Sequence, residues 1–95
     1  MFTQEHEKLM RLALKKWGKD AEVLQTLEEL AELSKELLKN VNRGGDNRDK
    51  IVEEMGDVYI MLEQLKSVYA VSERELAEVM GGKLARLGRL IKEEK

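Results

Sequence analysis

The chain has 95 residues, 38% of them charged and 4% aromatic, with no cysteine, no proline and one histidine. That fits a single domain over residues 1–95, and it excludes disulfides, thiolate metal sites and a zinc site with several imidazoles in one chain. A net charge of −2 and no apolar run of ~18–20 residues point to a cytoplasmic protein with neither nucleic-acid nor membrane partners, its chemistry left to carboxylate, amine and guanidinium groups.

Abundant Leu, Glu, Lys and Ala without proline favour helices throughout. The first helix runs from the N-cap Thr3 to Trp17 and stops at Gly18; His6 reads as a surface residue in its first turn. The second starts near Asp20, and Val23, Leu27, Leu30, Ser34, Leu37 and Val41 recur at three- and four-residue steps as an inward apolar stripe. Asn42 to Asn47 form the clearest loop. The third helix is capped by Asp46 or Asn47 and extends to about Tyr69, with Arg48 solvated and Ile51, Met55, Val58, Leu62, Leu65 and Tyr69 facing inward. Ser72-Glu73-Arg74-Glu75 is a capping-box pattern opening a fourth helix, whose stripe is Leu76, Val79, Met80, Leu84, Leu87 and Ile91. Gly81-Gly82 within it predict a kink or a close approach. The fold class is all-α, an antiparallel four-helix bundle with short connections.

Most acidic residues of such a chain are ordinary solvated helix faces. Glu54 is not, because the helical wheel puts it between Met61 and Leu65 inside an apolar arc, with Asp57 at the margin one turn on. Two carboxylates on apolar surface repel each other unless a cation lies between them. On the second helix Glu29 and Glu32 are also three apart, so the two couples could face each other and offer four oxygen donors to Mg²⁺ or Mn²⁺. Periodicity, however, sets Glu29 and Glu32 roughly opposite the Leu27–Leu30–Ser34 stripe. They are solvated residues with lysine partners unless another face of that helix is covered, for instance by a second subunit. Spacing alone leaves both readings open.

Glu28-Glu29-Leu30-Ala31-Glu32-Leu33 followed by Glu53-Glu54-Met55-Gly56-Asp57-Val58 resembles the MazG-type nucleotide pyrophosphohydrolases of the all-α NTP pyrophosphatase superfamily. Their E-x-x-E, spacer, E-x-x-D signature is matched by Glu29-x-x-Glu32 and Glu54-x-x-Asp57, with 21 residues between. The doubled glutamate before each motif, the Gly56-Asp57 pair and the run from Tyr59 to Leu65 strengthen the likeness, which covers roughly residues 15–91.

The resemblance implies a bundle completed by oligomerisation, as a homodimer or homotetramer, and Mg²⁺-dependent hydrolysis of a nucleoside triphosphate to the monophosphate and pyrophosphate. Mn²⁺ is the substitute cation. Glu29, Glu32, Glu54 and Asp57 would hold the metal, and Glu32 or Glu28 would take the proton of the attacking water. Lys83-Leu84-Ala85-Arg86 looks like the basic segment of the family's last helix, so Lys83 and Arg86 are candidate phosphate contacts, with Arg89 a third. Trp17 either stacks on the base or packs at the bundle end, and Lys16, Lys19 and Gln25 are near it in sequence. The alternatives are a phosphoribosyl-ATP pyrophosphatase and a helical interaction module without activity. A di-iron bundle is disfavoured because no E-x-x-H occurs.

Overall fold

Four helices form where proline is missing and helix formers dominate: α1 (Gln4–Trp17), α2 (Lys19–Arg43), α3 (Arg48–Val68) and α4 (Glu73–Glu93). They come from a computed structural model that describes residues 1–93. The all-helical class and the number of helices are as expected, and no strand occurs among the described residues. None of the helices is long and apolar enough to cross a membrane.

The helix ends are set locally. The Thr3 hydroxyl accepts from the His6 N–H at 3.1 Å while the Thr3 N–H donates to His6 Nδ1 at 3.1 Å, so His6 completes a capping box. Gly18, at φ 87°, turns the chain from α1 into α2, and Gly44 ends α2 in the left-handed region with its N–H on the Asn40 carbonyl at 3.1 Å. The Ser72 hydroxyl accepts from the Glu75 N–H at 3.0 Å, as its sequence pattern predicts. Gly81 and Gly82 neither interrupt α4 nor admit a close neighbour, since nothing lies within 4 Å of where a Cβ would sit.

The α2–α3 hairpin is the main packing unit, and α1 rests against both helices. The pair is antiparallel: Glu36 meets Asn47 at one end, Glu29 meets Glu54 and Asp57 in the middle, and Glu22 meets Met61 and Gln64 at the other. The bundle does not close over its fourth member within one chain. Beyond its first turns, where Leu76 and Met80 border a shallow cavity with Phe2, Tyr59 and Leu62 and Glu73 pairs with Lys66, α4 packs on none of the other helices.

The facing surfaces also differ from the expected ones. On α2 the inward side carries Glu22, Thr26 and Glu36, all buried, with Glu29 and Leu33 half-buried between them. The predicted inward stripe points out, with Leu27 57% and Val41 79% exposed. On α3, Val58 and Glu54 are buried and Ile51 and Leu65 half-buried as expected, but Met55, Leu62 and Tyr69 are exposed, and Met61, Gln64 and Val68 lie inward instead. α2 is therefore turned from the apolar-in orientation, and α3 is rotated relative to the expected stripe while still burying Val58, Met61 and Val68. One physical reason is that Asn47, just before α3, supplies an amide partner to Glu36 on the polar side of α2. Val58, Met61 and Val68 are the buried apolar residues among those described. The radius of gyration is 16.5 Å, against about 13 Å for a compact domain near this length.

Register in the hairpin rests on Asn47. Its side chain does not cap α3; its Nδ2 donates to the Glu36 carbonyl at 2.9 Å and to Glu36 Oε1 at 3.0 Å, while its Oδ1 accepts from Asn40 at 3.0 Å. Asn47, helped by Lys39, holds the Glu36 carboxyl below its ordinary range despite the opposing effect of desolvation. A carboxyl lowered on folding stabilises the fold above its unfolded pKa, and that contribution disappears as pH falls through the folded value. Asn47→Ala is thus expected to lower the thermal midpoint at neutral pH by a few degrees, with the deficit closing in strong acid. Circular-dichroism melts of both proteins across that range check it.

Candidate functional site

The middle of the α2–α3 seam gathers the two acidic motifs. Ligand oxygens of Glu29, from α2, and of Glu54 and Asp57, one turn apart on α3, all lie within 4.8 Å of one another. Helix geometry makes this possible: residues three apart on α3 project from one face, and the antiparallel register set by Asn47 brings Glu29 opposite them.

Each of the three has a different environment. Glu54 is buried and has one cation, Lys50 one turn earlier at 3.8 Å, which it shares with Glu53 at 3.8 Å. Glu29 is half-buried and accepts a hydrogen bond from Gln25 Nε2 at 2.8 Å. Loss of hydration raises its pKa, Gln25 opposes that, and the neighbouring Asp57 and Glu54 raise it further. Protein groups alone therefore leave a concentration of negative charge here that Lys50 answers in part.

This donor set suits a hard divalent cation. Three carboxylates from two helices could supply oxygen ligands to such an ion. The remaining expected residues are not gathered with them. Glu32 lies one turn along α2, exposed, with Lys35 at 4.0 Å, and stands outside the group of three. Glu28 is exposed beside Glu29. Lys83, Arg86 and Arg89 line a shallow depression on α4, which packs on neither α2 nor α3, so a single chain does not set them beside the carboxylates. Trp17 is 62% exposed at the α1–α2 corner, with Lys16 Nζ 5.3 Å from its ring centroid.

Three residues with definite structural roles were not legible as such. His6 caps α1 through its ring, a pattern that the usual Ser/Thr-x-x-Glu/Gln signature does not include. Glu36 reads as one more helix-surface acid, yet it is buried under Asn47. Glu22, in the first turn of α2, is buried against α3. The available signal for the two glutamates was their offset of seven residues on either side of Glu29, which puts both on the same side of the helix as Glu29.

The chain matches no model of a protein family, no curated protein and no solved structure.

The raised pKa of Glu29 has a definite sign. A carboxyl raised on folding favours the fold while protonated, and that advantage is lost as pH rises above the unfolded value. Glu29→Gln is therefore expected to raise the cation-free thermal midpoint at neutral pH, with the gain over the parent shrinking as pH falls. Melts recorded in the presence of a chelator provide the check.

Proposed function

We propose that the chain is a MazG-type pyrophosphohydrolase, converting a nucleoside triphosphate to the monophosphate and pyrophosphate with Mg²⁺, or Mn²⁺ in its place. The observation that carries this reading is the meeting of Glu29 with Glu54 and Asp57 across the α2–α3 seam, because it joins the two separate acidic motifs. The motif resemblance implies four such carboxylates; three of them meet here, with Glu32 outside the group.

Glu29, Glu54 and Asp57 would hold the cation, and Glu32, one turn along α2, is the fourth carboxylate of the motif. When bound, it would neutralise phosphate oxygens and lower the pKa of a coordinated water. The chain's own contribution is positioning: two rigid helices fix the carboxylates, and Gln25 orients the Glu29 head. Glu32 and Glu28, both solvent-exposed, are the groups that would accept the proton of the water attacking the α-phosphorus. Lys83 and Arg86 would meet the departing pyrophosphate.

We propose a homodimer or homotetramer as the working form. Leu27, Leu30, Leu37 and Val41 on α2, and Val79, Leu84, Leu87 and Ile91 on α4, are exposed apolar rows at helical spacing. The accessible surface is 7879 Å², roughly 2,300 Å² more than the ~5,600 Å² of a compact monomer of this mass. An excess of that size falls in the range that obligate interfaces bury. Association would also give α4 a neighbour, and with it bring Lys83 and Arg86 to a carboxylate site of another copy.

A panel of deoxynucleoside and phosphoribosyl-ATP substrates is expected to yield pyrophosphate from a deoxynucleoside triphosphate in a Mg²⁺-dependent reaction. Glu54→Gln and Asp57→Asn should each lower kcat/KM by about a hundredfold or more, as loss of a metal ligand does. Release of orthophosphate would contradict attack at the α-phosphorus. Absence of any turnover would favour the interaction module. Light scattering is expected to give at least twice the chain mass, and Leu84→Glu with Leu87→Glu should halve it or more and abolish activity together.

A further inference from the structure

A cavity of about 380 Å³ opens between α1, α2 and α3, next to the carboxylates but outside them. Trp17, Ala21 and Met61 give it apolar walls, and Glu22, Gln25 and Gln64 give it polar ones. Glu22 is the unusual member. It is only 5% exposed, and among the described residues no donor or cation meets its carboxylate. Yet no fully enclosed side-chain oxygen lacks a hydrogen bond, so the carboxylate oxygens open onto the cavity. With no protein donor, the carboxylate is met only from the cavity, and an incoming N–H there would make a charge-assisted hydrogen bond. The helix dipole does not account for the burial, since Asp20 complements the same first turn while exposed.

We propose that this cavity is a nucleobase subsite and that Glu22 selects a base with two adjacent N–H donors, the guanine edge. The proposal rests on reading the neighbouring carboxylates as the phosphate-side site of a nucleotide hydrolase. Distance supports it: Glu22 and Glu29 lie on one face of α2 seven residues apart, roughly 10 Å along the axis. A nucleoside's sugar bridges a separation of that order between base and α-phosphate. Gln25 joins the two regions, lining the cavity while it donates to Glu29.

The chemistry gives the order of preference. A carboxylate only accepts, through two oxygens side by side. Guanine meets it with N1–H and the 2-amino group. Adenine and cytosine offer one amino group beside a ring acceptor. Uracil and thymine flank a single N–H with carbonyl oxygens that repel the carboxylate. Trp17 supplies the aromatic wall for stacking, and Gln64 is held only by a long 3.5 Å bond to the Met10 carbonyl, so its amide can turn toward a base.

Trp17 is the chain's one tryptophan, so its fluorescence reports the cavity directly. Titration of the full chain with guanosine and with uridine, without phosphate or metal, is expected to give a saturable change with guanosine binding about tenfold more tightly. Glu22→Gln should erase that difference, and Ala21→Leu, which fills the cavity from an exposed position, should abolish both signals with helix content retained. The proposal is overturned if guanosine gives no saturable change, if the two nucleosides bind alike, or if the preference survives either variant. Should Glu22→Gln fail to fold, Ala21→Leu decides. Failure of the hydrolase reading shows separately: guanosine selectivity without pyrophosphate release refutes the hydrolase, and pyrophosphate release without guanosine selectivity refutes the subsite.

Discussion

The structure depends on a polar seam between two long helices. Glu22, Thr26, Glu29 and Glu36 on α2 turn toward α3, whose facing side carries Glu54 and Gln64 as well as Val58 and Met61. Burying acids between helices is unfavourable unless each finds a donor or a cation. How each acid is answered therefore separates structural positions from functional ones.

Along the seam the answers become progressively less complete. At the loop end, Glu36 is met by Asn47 and Lys39, a local solution that fixes the hairpin and needs nothing more. In the middle, Glu54 has Lys50 and Glu29 has Gln25, but both face Asp57 and each other. At the far end, Glu22 has no protein donor among the described residues and opens on a cavity. A single helix pair thus offers a closed clamp, a concentration of negative charge and an acceptor-lined pocket, in that order. The same orientation leaves the leucine row of α2 at the surface, while that of α4 is exposed because α4 packs on none of the other helices beyond its first turns.

The helices were legible because their ends carry local chemistry: Thr3, Gly18, Gly44 and Ser72 mark boundaries that the structure reproduces to within a residue or two. The pairing of Glu29 with Glu54 and Asp57 was visible as two i,i+3 couples and a motif likeness, though periodicity alone sent Glu29 outward. Orientation was not legible. The rule that an apolar stripe faces the core fails on α2, which leaves Leu27 and Val41 in solvent. Asn47 was likewise hidden, because a cap residue and a clamp on Glu36 look the same in one dimension. The position of Lys83 and Arg86 relative to the carboxylates depends on α4, which has no packing partner inside the chain.

The central claim is that the Glu29, Glu54 and Asp57 oxygens form one cation site. Anomalous diffraction from crystals grown with Mn²⁺ tests it most directly. A peak is expected within ligand distance of all three carboxylates, with Lys50 displaced from Glu54. A seam without a peak at saturating Mn²⁺, with Lys50 still on Glu54, would contradict it.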